Sequence, residues 1–180
     1  MTTPRVTRAY QQRRRLREES WPKEDVWTGE NEIGWFRVPR TMPLILQLID
    51  SKSLSGSLAP SGAYLELLAR HIDNGIIEMA HEVDHAYAAG YDGTRAVRSW
   101  QERMKILEKL GFIKTKQIGN QRYKYVLLIH PTVAIQNLFD QGKITKPWWD
   151  AYRDRQIQTK EPLYEERHKA TAKVVPLKTA

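Results

Sequence analysis

The chain has 180 residues, 41% of them hydrophobic, with 6 Trp and no Cys. That is enough apolar material for a buried core rather than a disordered chain, and the lack of Cys excludes disulfides, thiol catalysis and cysteine zinc sites. No apolar run approaches the ~18 residues of a membrane helix, and the N-terminal residues lack the apolar stretch of a secretory signal. The expectation is one domain with extensions, in a cytoplasmic protein.

The formal net charge is +8, and it is segregated along the chain. Residues 1–19 carry six Arg and two Glu, net +4. Residues 20–92 carry five basic and eleven acidic groups, net −6. Residues 93–124 carry nine basic and two acidic groups, net +7, and residues 125–180 are net +3. A surface charged only for solubility mixes its signs. Segregated basic charge is the footprint of a polyanion binder.

In chain order, residues 1–20 read as a flexible basic arm around Arg13, Arg14, Arg15 and Arg17. Residues 21–58 read as an extension, with a strand over Ile33–Val38, a helix over Leu44–Ile49 started near Thr41, and a loop over Ser51–Ser61. Residues 59–130 hold the main body. Its elements are a helix over Ser61–Ile72, a turn at Asp73–Gly75, a strand to Met79 and a helix over Ala80–Ala89. A third helix, Thr94–Leu110, is expected to be capped by Asp92 or Thr94. Gly111 then leads into a strand, Phe112–Lys116, a turn at Gln117–Gln121 and a second strand, Arg122–Ile129. Residues 131–158 read as C-terminal helices over Thr132–Gln141 and from Lys146 onward. Trp148, Trp149 and Tyr152 there are expected as core or as a dimer contact rather than as a platform for bases. Residues 159–180 read as a flexible tail.

At ~100° per residue, the helix from Thr94 has two faces. Val97, Trp100, Met104, Leu107 and Gly111 share one arc. Arg95, Arg98, Glu102, Lys105 and Lys109 share the opposite arc, flanked by Thr94 and Ser99. Ile106 falls toward the polar side without an evident reason. In the following hairpin, strand alternation places Lys114, Lys116, Arg122 and Lys124 outward, with Ile113, Tyr123 and Tyr125 on the other side. Gly119 and Asn120 both tolerate positive φ, which suits a tight tip.

Helix, strand, helix, turn, helix, strand, turn, strand, with the Leu107–Ile113 junction and basic charge throughout, resembles the winged helix-turn-helix superfamily. The resemblance covers roughly seventy residues. It implies a mainly α fold with a small β wing (α+β), binding of double-stranded DNA and no cofactor. The extensions on either side look somewhat like those of plasmid or phage replication initiators and regulators. The resemblance further implies a homodimer that regulates transcription, or replication and partition. In such a protein, the N-terminal part of the last helix enters the major groove. Arg95, Arg98 and Glu102 are then the candidates for base edges, since Arg bonds guanine and Glu accepts from cytosine. Thr94, Ser99, Lys105 and Lys109 would lie beside them. Lys114, Lys116, Asn120, Gln121, Arg122 and Lys124 of the wing, and Arg13, Arg14 and Arg15 of the arm, would meet phosphates or a minor groove. A winged-helix module that binds proteins instead of DNA is one alternative.

The other alternative is His81-Glu82-Val83-Asp84-His85, which matches the H-E-x-x-H pattern of zinc proteases. Two His at i and i+4 on one helix face bind the metal, and Glu82 would be the general base. Ala88 stands where the longer form of that motif requires Gly, and no third ligand is evident. No phosphate-binding glycine loop and no serine-nucleophile motif is present.

Overall fold

The computed structural model describes residues 8–20, 22, 34, 36–71 and 75–166. The chain divides into two compact units, Met1–Trp35 and Phe36–Ala180. In the first, α1 (Arg8–Ser20) is a helix with no buried residue. The expected flexible arm therefore contains thirteen helical residues. Arg14 and Glu18 pair along it at 2.8 Å.

The second unit combines helices with a small antiparallel sheet. α2 (Met42–Ile49) begins with Pro in its first turn, where the missing N–H costs nothing. Before it, Phe36–Pro39 has no regular structure, so the strand expected over Ile33–Val38 is absent from its described residues 36–38. Ile33 and Trp35 lie outside the described residues. A short helix, α3 (Lys52–Ser55), interrupts the expected loop, with Ser55 bonding back to the Ser51 carbonyl at 3.0 Å.

α4 (Ser61–Arg70), β1 (Ile76–Glu78), α5 (Glu82–Ala88) and α6 (Ala96–Lys109) follow. Asp73 and Asn74 of the expected turn lie outside the described residues. β2 (Ile113–Ile118) and β3 (Gln121–Leu128) form the hairpin, and β1 pairs with β3, giving the antiparallel order β1-β3-β2. Gly111 ends α6 with φ +81°, and Phe112 N–H bonds the Leu107 carbonyl at 3.0 Å. That left-handed residue turns the helix into the strand, a role only Gly fills without steric cost.

One core joins all these elements. Ile45 and Ile49 of α2, Tyr64 and Leu67 of α4, Trp100, Met104 and Leu107 of α6, Val126 of β3 and Ile135 of α7 (Pro131–Asp140) are all fully buried. Trp100 meets Tyr123 edge-on at 5.4 Å, and Tyr64 meets Phe112 at 5.1 Å. Ile106 packs against this core from its margin, which accounts for its place on the wheel. α8 (Lys146–Thr159) adds Trp149, stacked on Phe139 at 4.2 Å, and the buried Tyr152. Trp148 stacks on Tyr152 at 5.3 Å.

The tail does not leave the core at residue 159. The Glu161 carboxylate accepts from the Thr41 N–H at 2.9 Å and from the Thr41 hydroxyl at 2.7 Å, fastening the start of α2. Leu163 N–H bonds Glu166 at 2.9 Å. Among the described residues, no helix is long and apolar enough to cross a membrane.

Candidate nucleic-acid interface

α6 begins at Ala96, two residues later than the sequence suggests. Its N-cap is Arg95, with no side-chain cap bond, so neither Asp92 nor Thr94 performs that task. Trp100, Met104 and Leu107 anchor one side in the core. Arg95, Arg98, Lys105 and Lys109 are exposed on the other side, as is Thr94 just before the helix, and Ser99 and Glu102 are half-buried. From Arg95 to Lys109 the stripe runs about 21 Å at ~1.5 Å per residue.

Glu102 organises this stripe. Its carboxylate lies 3.3 Å from Arg98 Nε and 3.6 Å from Arg103. The Arg98 side chain is 79% exposed, and an exposed pair of this kind is worth about 0–1 kcal/mol. Arg98 is therefore held loosely and can be given up to a stronger acceptor. Among the described residues, Arg95, Lys105 and Lys109 have no carboxylate within ion-pair distance.

Arg103 belongs to the scaffold, a role that residue type and helical spacing do not reveal. Its side chain is only 17% exposed, and it donates to the Ser99 carbonyl at 2.9 Å. It also lies over the Tyr91 ring at 5.0 Å. Burial pushes the Tyr91 phenol above its ordinary range, with Arg103 opposing. Tyr91 in turn donates to the Ala59 carbonyl at 3.3 Å. Gln101 donates to Glu82 of α5 and accepts from Tyr123 through its carbonyl at 3.2 Å. Burial raises the Tyr123 phenol as well.

Glu108 ties the helix to the hairpin. It accepts from the Thr115 hydroxyl of β2 and lies 3.4 Å from Arg122 of β3. Arg122 is therefore on the α6 side of the sheet. The exposed tip, Asn120 and Gln121, extends beyond it. Gly119 has φ +55°, whereas Asn120 stays out of the left-handed region.

The hairpin does not bring all its cations to this side. Thr115 and the fully buried Val126 pair across the strands facing α6. Lys114 pairs with Leu127 and Lys116 with Tyr125, so these four residues lie on the opposite face of the sheet. The next pair, Ile118–Gln121, is two residues farther along β2 but four farther along β3. This irregularity breaks the alternation. It leaves Tyr123 in the core but moves Tyr125 to the side of Lys116, correcting the expected grouping of Tyr125 with Ile113 and Tyr123. Lys124 is also committed elsewhere. Its ammonium bonds Glu78 of β1 at 2.8 Å, and that carboxylate holds it above its ordinary range.

The H-E-x-x-H residues do not take the arrangement the motif needs. His81 is the extended N-cap of α5, with φ −136° and ψ 108°, so it does not share a helix face with His85. His85 is buried, its Nδ1 3.0 Å from both Glu66 oxygens. Glu66 also accepts from Arg70 at 2.7 Å, and His85 stacks on Trp100 at 6.1 Å. Among the described residues, no group of three or more His, Asp or Glu is placed to hold a metal. Among the described residues, His71 and His130 act as local caps. His71 accepts from Gly75 N–H at 2.9 Å, and His130 accepts from Thr132 N–H at 3.2 Å.

On α1, Arg13 and Arg15 are exposed, and Glu18 holds the paired Arg14 above its ordinary range. None of the protein families, curated proteins or solved structures compared with the chain matches it.

Proposed function

We propose that this chain is a winged helix-turn-helix protein that binds double-stranded DNA through the exposed stripe of α6 and the tip of the β2–β3 hairpin. The observation that carries the reading is the stripe itself. Four cations, Arg95, Arg98, Lys105 and Lys109, stand on one side of a helix whose other side is locked into the core. The element order around it and the sheet order β1-β3-β2 support the same reading. Arg98 and Glu102 read bases near the helix start, where a bidentate Arg–guanine contact gives discrimination. Lys105, Lys109 and Arg122 meet phosphates, which fix register without reading sequence.

Lys114, Lys116 and Lys124 fall outside this interface, the first two across the sheet and the third bonded to Glu78. The protein acts as a homodimer in the cytoplasm and regulates transcription, or replication and partition. Selecting bound sequences from a random duplex pool tests the reading. Recovery of a (pseudo)palindrome is expected, because a twofold dimer reads two half-sites. Recovery of no common sequence, with no salt-dependent affinity for any duplex, would refute it.

A further inference from the structure

The face of the sheet turned away from α6 has its own chemistry. Two rows cross the strands, Ile76–Leu127–Lys114 and Glu78–Tyr125–Lys116. Ile76 is 52% and Leu127 37% exposed, and they sit side by side as a cross-strand pair. With Tyr125 they floor an open groove of about 410 Å³, and Lys114 and Lys116 form its wall on β2. On the β1 side, Glu78 is neutralised by Lys124. On the β2 side, neither Lys114 nor Lys116 has a carboxylate partner among the described residues. The groove is thus apolar in the middle and positive along one edge.

We propose that this groove docks a short segment of a partner protein that carries apolar side chains flanked by carboxylates. The apolar floor takes the side chains out of water, and the two free ammonium groups select for acids. Because β2 is an edge strand, its outer backbone is also open to an extended segment.

Size disfavours a second copy of this chain as the occupant. Three strands about 4.8 Å apart and two rows about 7 Å apart cover far less than the ~800 Å² per partner that a stable interface buries. A nucleic-acid strand fits less well too. Ile76 and Leu127 offer a phosphate nothing, and the one ring, Tyr125, already has Lys124 over it at 6.0 Å. The proposal is independent of the α6 reading, since the two faces share no side chain.

Selection of random displayed peptides on the full chain tests it. Enrichment of peptides that mix Leu, Ile or Val with Asp and Glu is expected. Their affinity, read by fluorescence anisotropy, should fall at least about tenfold in the Lys114→Glu/Lys116→Glu variant. Circular dichroism and thermal unfolding of that variant report whether the fold is kept. Leu127→Ser, which leaves the charge unchanged, should weaken the same peptides. Four results would overturn the proposal. One is no enrichment, which leaves the lysines as guards of an open edge. A second is equal affinity for the charge-reversed chain. A third is displacement of the peptides by a single-stranded oligonucleotide. The fourth is a self-association that Leu127→Ser abolishes.

Discussion

Along α6, Arg95, Arg98, Lys105 and Lys109 stand with Glu102 among them, over a helix whose far side is buried. Across the sheet, Lys114 and Lys116 stand beside Ile76, Tyr125 and Leu127. Both faces are basic, but their surroundings differ. The cations of α6 have polar neighbours and a length of helix that suits a groove lined by phosphates. Those of β2 border apolar side chains, which gain from contact with another apolar surface and not from a polyanion. Charge count alone treats the nine cations of residues 93–124 as one set. The sheet between them divides the set into two.

The largest effect expected is from Trp100→Ala, which removes the buried ring joining α6 to Tyr123. It should cost about 3–5 kcal/mol, read as a shifted midpoint in urea unfolding. Both faces should then be lost together. A protein unfolding as the wild type does would show that the two faces are not built on one core. Gly62→Ala examines the same scaffold from α4. A Cβ there would meet the Ala89 carbonyl oxygen at 2.7 Å. Helix propensity favours Ala by about 0.5–1 kcal/mol, yet the clash is with backbone. A net loss of about 1–3 kcal/mol is expected, and a stabilised variant would contradict the packing described.

Smaller effects separate the faces. Lys105→Ala should weaken duplex binding equally for all sequences. It should also reduce the slope of log affinity against log salt by about one. Smaller still, Lys114→Ala and Lys116→Ala should each leave stability within about 0.5 kcal/mol, checked by thermal unfolding, because neither ammonium has an ion-pair partner among the described residues.

The helical parts of the fold were legible because an amphipathic helix writes its buried side at a period near 3.6. Val97, Trp100, Met104 and Leu107 mark α6 in the sequence, and Tyr64 and Leu67 mark α4. The hairpin was legible only in outline. Which side Tyr125 faces depends on where β3 takes its extra residues, and that is settled by pairing with β2, not by β3 alone. The helix at Arg8–Ser20 was missed because it buries nothing and so leaves no apolar period. Glu161 looked like part of a loose tail, since its partner, Thr41, lies 120 residues away in sequence. His81 and His85 matched a pattern of residue types whose geometry depends on both lying in one helix, and the helix starts one residue too late. The site was legible as residue types on α6. Its division by the sheet was not.

The claim that α6, and not the outer sheet face, reads DNA is tested most directly by an anisotropy titration of two variants on the selected duplex. Arg98→Ala should lower specific affinity by about 1–3 kcal/mol per site, while Lys114→Ala/Lys116→Ala should bind as the wild type does. Unchanged binding by the first variant, with weakened binding by the second, would place the interface on the wrong side of the sheet.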